Sequence, residues 1–287
     1  MLISNSEVST FQTCERKHYY AFREALKPQK GHGVALTRGI VGHEVFEAFY
    51  ASKMHGERHE DCIGFAKEVL DNNIRKYSEY AKELGQLHSI LVRYADFYRN
   101  EPWKVLEVED LHSLRLDAEI DYGLRLDLLV EVTAGREKGQ VQIIDHKFVY
   151  DFFNDRELAM NTQLVKYIKA LRDNGIPARK GVLNQIRYRQ MKNNDPSMMF
   201  RRSSVVTTDL ESRRFMEEFH KVANDISVLT GLPKSAHRDQ TRMHIDKQTC
   251  SSCAFQPLCK LTLQGLDEQS TKKMLYKHND YVDQYRK

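Results

Sequence analysis

The sequence predicts an α/β protein in which helices flank a central mixed β-sheet. Apolar and polar residues alternate with a period of two across 114–121, and strand-like segments follow at about 124–132 and 140–148. Before, between and after these strands, apolar residues recur at the three- and four-residue spacing of helices. Strands in the middle of the chain, with helices on both sides in sequence, are typical of one α/β domain built around a single sheet.

The boundaries of the remaining elements follow from periodicity and from glycine and proline. Pro28 and the glycines at 31 and 33 end a first helical stretch, and Pro102 ends the N-terminal helical block. The predicted helices cover 1–27, 36–54, about 60–80, about 84–99, 156–173 and about 209–230. A glycine-containing turn is predicted at 135–139, further strands at 180–190 and 203–208, a loop at 191–200, and irregular chain from 231 to a cysteine array and a short C-terminal helix.

Composition indicates an ordinary soluble globular chain. Of 287 residues, 41% are hydrophobic and 29% are charged. No apolar run approaches the ~18 residues that a membrane-spanning helix needs, and the first residues, MLISNSEVST, lack the basic flank and apolar stretch of a signal peptide. The expected location is the cytoplasm of a bacterial, archaeal or virus-infected host cell.

Positive charge is concentrated in one region. The formal net charge is +4 (44 basic minus 40 acidic residues), which is weak evidence for a polyanionic partner. Residues 179–202, however, hold seven basic residues and one acid, Asp195. This region is either a solvated face or a phosphate-binding surface. The residues predicted to contact DNA are Arg187, Tyr188, Arg189, Arg201 and Arg202.

Three of the five cysteines form a C-x2-C-x5-C array at Cys250, Cys253 and Cys259. A tetrahedral metal or a cluster takes a fourth thiolate, which either Cys14 or Cys62 must supply. Cys14 is the better candidate because it lies in the polar-aromatic segment FQTCERKHYY, whereas Cys62 begins a helical stretch after acidic residues. Thiolate softness alone leaves both zinc and an iron–sulfur cluster open. Three unligated cysteines are the remaining alternative.

Two strands carry carboxylates that could share a divalent cation. Asp127 lies in the largely apolar segment LRLDLLVEV, where a carboxylate is costly unless it is paired or bound to a metal. Asp145 and Lys147 alternate on the next strand and therefore point to the same face. A plain salt bridge is the simpler alternative for this pair. In the metal-binding interpretation, Asp127, Asp145 and the backbone carbonyl of His146 supply oxygens to Mg²⁺ or Mn²⁺.

Helical residues complete the candidate site. His43 lies in RGIVGHEVFEAFY and is a possible further ligand, since imidazole favours Mn²⁺ over Mg²⁺. Gln163 and Tyr167 are four residues apart and share a face of the helix that follows the Asp-x-Lys strand. Each of these features has a structural alternative. His43 can be an ordinary structural or exposed histidine, and Gln163 and Tyr167 can belong to the polar stripe of an amphipathic helix.

The order of these motifs resembles the RecB-like branch of the PD-(D/E)XK nuclease superfamily. The match includes a helical histidine, a strand aspartate, Asp-x-Lys, Gln-x3-Tyr and four bracketing cysteines, and the segment from Ser6 to Tyr19 resembles the family's N-terminal signature. More narrowly, it is similar to members with an iron–sulfur cluster, namely CRISPR-associated exonucleases, AddB-type nuclease domains and phage exonucleases. One departure is Leu128, which follows Asp127 where family members often carry an arginine. It puts a DNA contact in doubt, but not metal binding.

This resemblance implies a restriction-endonuclease-like core at 36–230, with a helical N-terminal part. It implies that segments 1–35 and 231–287 join at a [4Fe–4S] cluster held by Cys14, Cys250, Cys253 and Cys259. It assigns His43, Asp127 and Asp145 to metal binding, and Lys147, with the Gln163–Tyr167 motif, to catalysis. The implied cofactors are the cluster and Mg²⁺ or Mn²⁺.

The expected activity is a DNA exonuclease that prefers single strands or ends. The sequence lacks a G-x4-G-K-[ST] loop, so any unwinding would come from a helicase, recombination or CRISPR partner. Oligomer formation remains open. The main alternative is a DNA-binding or integration subunit with little cleavage of its own. A redox protein built on the cluster is a third possibility, although flavin and nicotinamide fingerprints are absent.

Overall fold

The structure, a computed structural model, describes residues 1–31, 33–189 and 195–283. Its contacts divide the chain into two units. Unit 1 comprises Met1–His32, Ser113–Leu124 and Met216–Lys287, and unit 2 comprises Gly33–His112 and Arg125–Phe215. Part of the predicted loop at 191–200 lies outside the described residues.

The described residues form short elements in unit 1 and longer ones in unit 2. The strands are β1 Leu2–Ser4, β2 Leu26–Pro28, β3 Trp103–Arg115, β4 Asp121–Val132, β5 Val141–Val149, β6 Ala178–Arg187, β7 Phe200–Val205 and β8 Tyr276–His278. The helices are α1 Asn5–Thr13, α2 Glu15–His18, α3 Val34–Met54, α4 His59–Lys76, α5 Ala81–Phe97, α6 Asp155–Ala159, α7 Thr162–Asp173, α8 Pro196–Met199, α9 Asp209–Gly231, α10 Lys234–Gln240, α11 Lys247–Ser251, α12 Gln256–Leu263, α13 Gln269–Leu275 and α14 Asp280–Asp283. A π-helical turn covers Tyr19–Arg23, and a 3₁₀ turn covers Ser78–Tyr80.

Unit 2 contains the mixed sheet that the sequence predicts. β4 runs antiparallel to β5, β5 runs parallel to β6, β6 runs antiparallel to β7, and β3 also pairs with β4. Asp145 lies opposite Leu183, and Asn184 lies opposite Arg202. Because side chains alternate along a strand, this register determines which residues of β5, β6 and β7 share a face.

Helices α3, α4 and α5 cover one face of this sheet. Their apolar side chains form a buried cluster with β4, β5 and β6, in which Phe46, Tyr50 and Tyr94 are nearly inaccessible to water. Gly42 permits a close approach between α3 and β5, since a Cβ atom there would lie 2.4 Å from the ring of Phe148. The contact places His43, the next residue, beside the strand that carries the Asp-x-Lys motif.

In unit 1, β1 pairs in parallel with the first residues of β4, and β2 pairs antiparallel with β8. Tyr19, Tyr20, Phe255, Leu258 and Tyr276 form its buried apolar cluster. None of the helices among the described residues is long and apolar enough to cross a membrane.

The predicted strand at 114–121 is wrong over most of its length. β3 begins at Trp103 and ends at Arg115, and a turn connects it to β4. The Asp117 carboxylate accepts hydrogen bonds from the backbone N–H groups of Glu119 and Ile120, at 2.8 and 2.9 Å. An aspartate that caps its own following backbone favours a turn, and this local bonding overrides the alternating pattern.

Three predicted stretches are divided more finely than the sequence indicated. The first helix is interrupted at Cys14, whose extended backbone separates α1 from α2. The predicted helix 156–173 breaks before Thr162, because the Asn161 side chain caps α7 by accepting from the N–H of Leu164. The chain after 231, predicted to be irregular up to the cysteine array, contains α10 and α11 in that interval.

Candidate active site

Asp145 and Lys147 form an ion pair on one face of β5. The Lys147 Nζ lies 3.0 Å from Oδ1 and 2.8 Å from Oδ2 of Asp145. Asp145 is buried, and the lysine side chain is 31% exposed. Burial lowers the pKa of Lys147, but the charges of Asp145 and Asp127 outweigh this effect and hold the pKa above its usual value. The lysine therefore carries a proton at neutral pH.

The predicted Gln-x3-Tyr pair reaches the same carboxylate. Both residues lie on α7, and the Gln163 Nε2 donates to Asp145 Oδ1 at 3.3 Å and to the Tyr167 hydroxyl at 3.0 Å. Gly181 on β6 lies against Leu164 of α7. A Cβ atom added at position 181 would lie 3.0 Å from the Leu164 side chain, so a larger residue there would push the helix away. Close packing of α7 on β6 thus positions Gln163 over β5.

His43 from α3 and Asp127 from β4, both predicted metal ligands, meet beside this pair. The His43 Nδ1 lies 3.4 Å from Asp127 Oδ2 and 3.9 Å from Glu109 Oε1. One ligand atom from each of these three residues lies within 4.8 Å of the others. A nitrogen and two carboxylates are a donor set that suits Mn²⁺ or Mg²⁺, so the residues present fit the metal. Asp145 stands outside this triplet.

Burial and the neighbouring carboxylates shift the pKa values of Asp127 and His43. Burial, followed by the charge of Asp145, raises the pKa of Asp127 to about 7. Burial lowers the pKa of His43, but the hydrogen bond to Glu109 and the charge of Asp127 raise it above its ordinary value overall. A divalent cation would relieve the repulsion between the carboxylates, which is a further reason that this set of groups fits one.

Glu109 is the residue that sequence reasoning missed. It lies within β3, in a segment for which the sequence pattern predicts no element. Its backbone has a φ of 52°, a left-handed conformation that is rare for a side chain of this size. The Arg125 Nη1 donates to the Glu109 carbonyl at 3.0 Å and helps to hold this conformation. Backbone strain of this kind is concentrated at functional sites. The available signal was the acidic pair Glu107 and Glu109 in an otherwise strand-like run.

His146 points away from the catalytic face. Its backbone N–H donates to Asp127 Oδ2 at 2.6 Å, and its ring stacks on Tyr50 at a centroid distance of 5.5 Å. The Asn184 Nδ2 lies 2.7 Å from Nδ1 of the ring, and burial lowers the pKa of His146 well below its ordinary value. The imidazole is therefore neutral, with Nδ1 as the acceptor. The metal contact predicted for its backbone carbonyl stays a prediction.

Arg202, which was predicted to contact DNA, is only partly exposed, and its role in DNA contact stays a prediction. Its guanidinium pairs with Glu101, donates to the Tyr94 hydroxyl at 2.9 Å and lies 3.4 Å from the Tyr98 ring centroid. The physical reason is the alternation of β7: Arg202 lies opposite Asn184 and faces α3 and α5, whereas Arg201 faces the other way. Composition alone does not separate two adjacent arginines.

Replacing Arg202 by alanine is expected to destabilise the protein by about 2–3 kcal/mol, because Glu101, whose side chain is 2% exposed, loses one of its two ion partners and keeps Lys53. Denaturant unfolding of the variant measures this loss. Arg201→Ala is the matched control, since Arg201 donates to the Phe153 carbonyl on the opposite face, and its expected cost is about 1 kcal/mol. Equal losses in the two variants would contradict the buried network.

The four other residues predicted to contact DNA lie together near the ends of β5, β6 and β7. Arg187 and Arg189 each pair with Asp151, at 3.5 and 3.4 Å. The guanidinium of Arg201 lies 4.8 Å from the Phe152 ring centroid. Tyr188 lies beneath the guanidinium of Arg38, at 4.2 Å. Their role in binding DNA stays a prediction.

The four cysteines predicted to act together line one cavity in unit 1. This cavity also contains Met243, His244 and Ile245. The Cys14 Sγ accepts from the His244 N–H at 3.5 Å, and the Cys250 Sγ donates to the His244 carbonyl at 3.5 Å. Burial, followed by the neighbouring thiols, raises the pKa of Cys259 to about 11. The remaining cysteine, Cys62, is buried in the core of unit 2. The four thiols therefore line one cavity, and their binding of a metal centre stays a prediction.

A mixed sheet that presents carboxylates and a lysine beside a histidine defines a class of enzymes that cleave phosphodiester bonds with a divalent metal. The chain belongs to the PD-(D/E)XK nuclease superfamily, whose family model matches residues 2–260. It is on this ground a metal-dependent nuclease that uses Mg²⁺ or Mn²⁺.

Solved structures and curated proteins add little to this assignment. The chain is similar to the crystal structure of SSO0001, with a TM-score of 0.33 and 16% identity over 65% of this chain and 79% of that one. No curated protein matches the sequence significantly.

Proposed function

We propose that the protein is a divalent-metal-dependent DNA exonuclease that prefers single strands or DNA ends. The observation that carries this proposal is the meeting of two groups at β5, the donor set of His43, Glu109 and Asp127 and the ion pair of Asp145 with Lys147. Family membership supports phosphodiester cleavage. The preference for DNA ends rests on the resemblance to RecB-like nucleases.

The residues divide between holding the metal and handling the substrate. His43, Asp127 and Asp145 would hold the cation, together with Glu109 and the backbone carbonyl of His146. When bound, the cation shields the phosphate charge and makes a water molecule more acidic. The ammonium group of Lys147 orients that water or stabilises the charge that develops on the phosphate. Gln163 holds the Asp145 carboxylate, with Tyr167 as its second partner.

The reaction is an in-line displacement at phosphorus. A new bond forms between the water oxygen and phosphorus, and the bond from phosphorus to one sugar oxygen breaks. The attacking water gives up one proton to the solvent and the leaving oxygen takes one up. The chain is shortened by a nucleotide or a short oligonucleotide.

End-labelled single-stranded and duplex DNA, incubated with EDTA, Mg²⁺ or Mn²⁺, tests this function. We expect metal-dependent release of the label as short products, faster from single strands than from duplex. Cleavage that begins inside a circular single strand would show an endonuclease instead. Tight oligonucleotide binding without cleavage under any divalent metal would favour the alternative of a DNA-binding or integration subunit.

Glu109→Gln is expected to weaken Mn²⁺ binding by roughly 10-fold or more, because it replaces a ligand carboxylate by a neutral amide. Isothermal titration of the metal without DNA measures the change. Glu107→Gln is the matched control, since Glu107 lies two residues earlier on β3 and pairs with His112 at 2.7 Å. An unchanged affinity in Glu109→Gln would remove this residue from the metal site.

Stabilisation by Mn²⁺ is expected to be larger at pH 8 than at pH 6. The pKa of Asp127 is raised by burial to about 7, so the metal-free protein loses this group's contribution to stability as the pH rises through 7. Metal binding requires the ionised carboxylate and reverses that loss. The measurement is the melting temperature with and without Mn²⁺ at both pH values. An equal shift at both would contradict the raised pKa.

An iron–sulfur cluster in unit 1 is part of the same proposal. The supporting observation is the cavity lined by Cys14, Cys250, Cys253 and Cys259, and the RecB-like resemblance favours [4Fe–4S] over zinc. The proposed role is structural, since ligands 236 positions apart (250 − 14) join the segments 1–35 and 231–287 around the core at 36–230. A redox function would instead require a cluster potential that changes on DNA binding.

The proposed partners are DNA and a helicase, recombination or CRISPR protein that supplies unwinding. The proposed setting is the cytoplasm of a bacterial, archaeal or virus-infected cell. Oligomer formation is compatible with this function. Sedimentation of the protein with and without DNA is the direct measurement.

A further inference from the structure

Two tyrosines follow directly after two neighbouring parallel strands. β5 ends at Val149 and β6 ends at Arg187, and these two residues are paired in register. Tyr150 and Tyr188 are therefore brought to the same edge of the sheet, where the Tyr188 N–H donates to the Val149 carbonyl at 3.1 Å. Their ring centroids are 6.0 Å apart, and Tyr150 is 56% exposed. The parallel pairing thus presents an aromatic pair at the end of the Asp-x-Lys strand.

Guanidinium groups surround this pair and a third ring. Arg38 lies 4.2 Å from the centroid of Tyr188, and Arg189 lies 5.2 Å from that of Tyr150. The Phe152 ring has two such neighbours, Arg187 at 4.0 Å and Arg201 at 4.8 Å.

Asp151 pairs with two of these four arginines. The aromatic edge, defined as Tyr150, Phe152, Tyr188 and these arginines, therefore keeps excess positive charge beside its ring faces. That combination suits a ligand with both phosphates and flat rings.

The aromatic edge lies along both elements that lead from the catalytic groups. Tyr150 directly follows the end of β5 and is three residues after Lys147, which corresponds to ~10 Å at the rise of a strand. Arg38 is five residues before His43 on α3, or ~7.5 Å at the rise of a helix. A distance of ~10 Å corresponds to about three nucleotides at the ~3.4 Å rise of a stacked strand. The separation along the backbone is therefore within reach of one DNA strand that passes around the end of β5.

We propose that the aromatic edge binds the unpaired nucleobases of the DNA strand whose phosphate lies at Lys147. This inference rests on the proposed function, and it names the feature of the substrate that selects single strands. Bases of an intact duplex are already stacked on their neighbours and cannot offer a free face to Tyr150 or Tyr188. Unpaired bases can stack on these rings whatever their identity, and the arginines hold the adjoining phosphates.

The test is a binding experiment that does not depend on cleavage. A single-stranded oligonucleotide with one 2-aminopurine is titrated with protein in EDTA, and fluorescence reports the stacking of that base while anisotropy reports affinity. The wild-type protein is expected to change the 2-aminopurine fluorescence when the probe lies about three nucleotides from the end. Tyr150→Ala is expected to lose this change and about 10-fold in affinity for the single strand, with duplex affinity unchanged.

Two control variants separate stacking from general damage. Tyr150→Phe keeps the ring and is expected to restore both signals. Phe65→Ala removes a ring that is 48% exposed on α4 and is expected to bind like the wild type. Melting temperatures of all variants identify any that fail to fold. For Tyr188, which is partly buried under Arg38, Tyr188→Leu is the variant that best preserves packing.

The outcomes distinguish this inference from the proposed function. If the wild type gives the fluorescence change but never cleaves with any metal, the nuclease proposal fails and base stacking stands. If Tyr150→Ala and Tyr188→Leu bind single strands like the wild type, the inference is overturned, whatever the cleavage activity. Equal loss of duplex and single-strand affinity, or no fluorescence change in the wild type, would also overturn it. Either of these two overturning results would indicate that the aromatic edge binds phosphates alone or is a binding surface for another protein.

Discussion

Lys147→Ala is expected to lower the rate of metal-dependent DNA cleavage by about 10³-fold. The Lys147 ammonium group lies 2.8 Å from Asp145, and its proposed role is to stabilise the charge that forms at phosphorus. One preorganised donor of this kind raises the reaction rate by ~10²–10³-fold or more. Rates are measured under single-turnover conditions with saturating Mn²⁺ and with enzyme in saturating excess over DNA, so that changes in substrate binding do not enter. Activity equal to that of the wild type would eliminate the proposed mechanism.

A control for Lys147→Ala must separate chemistry from folding. Removing the lysine leaves the buried Asp145 carboxylate without its ion partner, so some loss of stability is expected. Mn²⁺ relieves this charge, and the metal-loaded variant should melt close to the loaded wild type. Lys169→Ala is the matched variant, because Lys169 pairs with Asp173 on the outer part of α7, and its activity should be unchanged.

Cys253→Ala is expected to lose bound iron, the absorption near ~400 nm and at least ~10 °C of melting temperature together. The physical reason is that a centre held by four thiols stabilises the folded form by the free energy of ligand binding, and three thiols hold it poorly. Anaerobic purification, metal analysis and thermal unfolding on one sample provide the measurement. A variant that lost iron but kept its melting temperature would contradict a structural cluster.

Cys62→Ala is the control for that experiment. Cys62 is 2% exposed in the core of unit 2, and its Sγ lies 3.7 Å from the Glu57 carbonyl oxygen. The variant should keep its iron and lose only the small free energy of one buried sulfur. Cys14→Ala should behave like Cys253→Ala. If the wild-type protein contained zinc instead of iron, the structural role of the four-thiol site would stand and only the identity of the metal would change.

Several parts of the fold could be predicted because they depend on local patterns. The strands predicted at 124–132 and 140–148 correspond to β4 and β5. Short, largely apolar runs of this kind favour a buried strand. The helix at 36–54 and the helix at 209–230 agree with α3 and α9 to within about two residues. Long periodic segments are reliable because every turn or pleat repeats the same preference.

Other parts depended on contacts that one-dimensional patterns do not contain. β3 was missed over most of its length, and with it Glu109, because its residues vary in burial without a regular alternation. Arg201 and Arg202 are equivalent in composition, but the register of β7 against β6 assigns them to opposite faces. Asp117 shows the converse, where one side chain that accepts two local backbone hydrogen bonds favours a turn over the strand that the alternating sequence predicts.

The sequence by itself determined the α/β class and most of the elements that carry the chemistry, and it predicted His43 and Asp127, but not Glu109, as candidate metal ligands. These conclusions follow from residue type and spacing, which limit what each segment can do alone. The tertiary structure decided which of these residues meet. Packing of α3 on β5 brought His43 to Asp127, the left-handed backbone at Glu109 accompanied a second carboxylate at that site, and parallel pairing aligned Tyr150 with Tyr188. Such meetings depend on the register and the approach of distant segments, and no single segment encodes either of them.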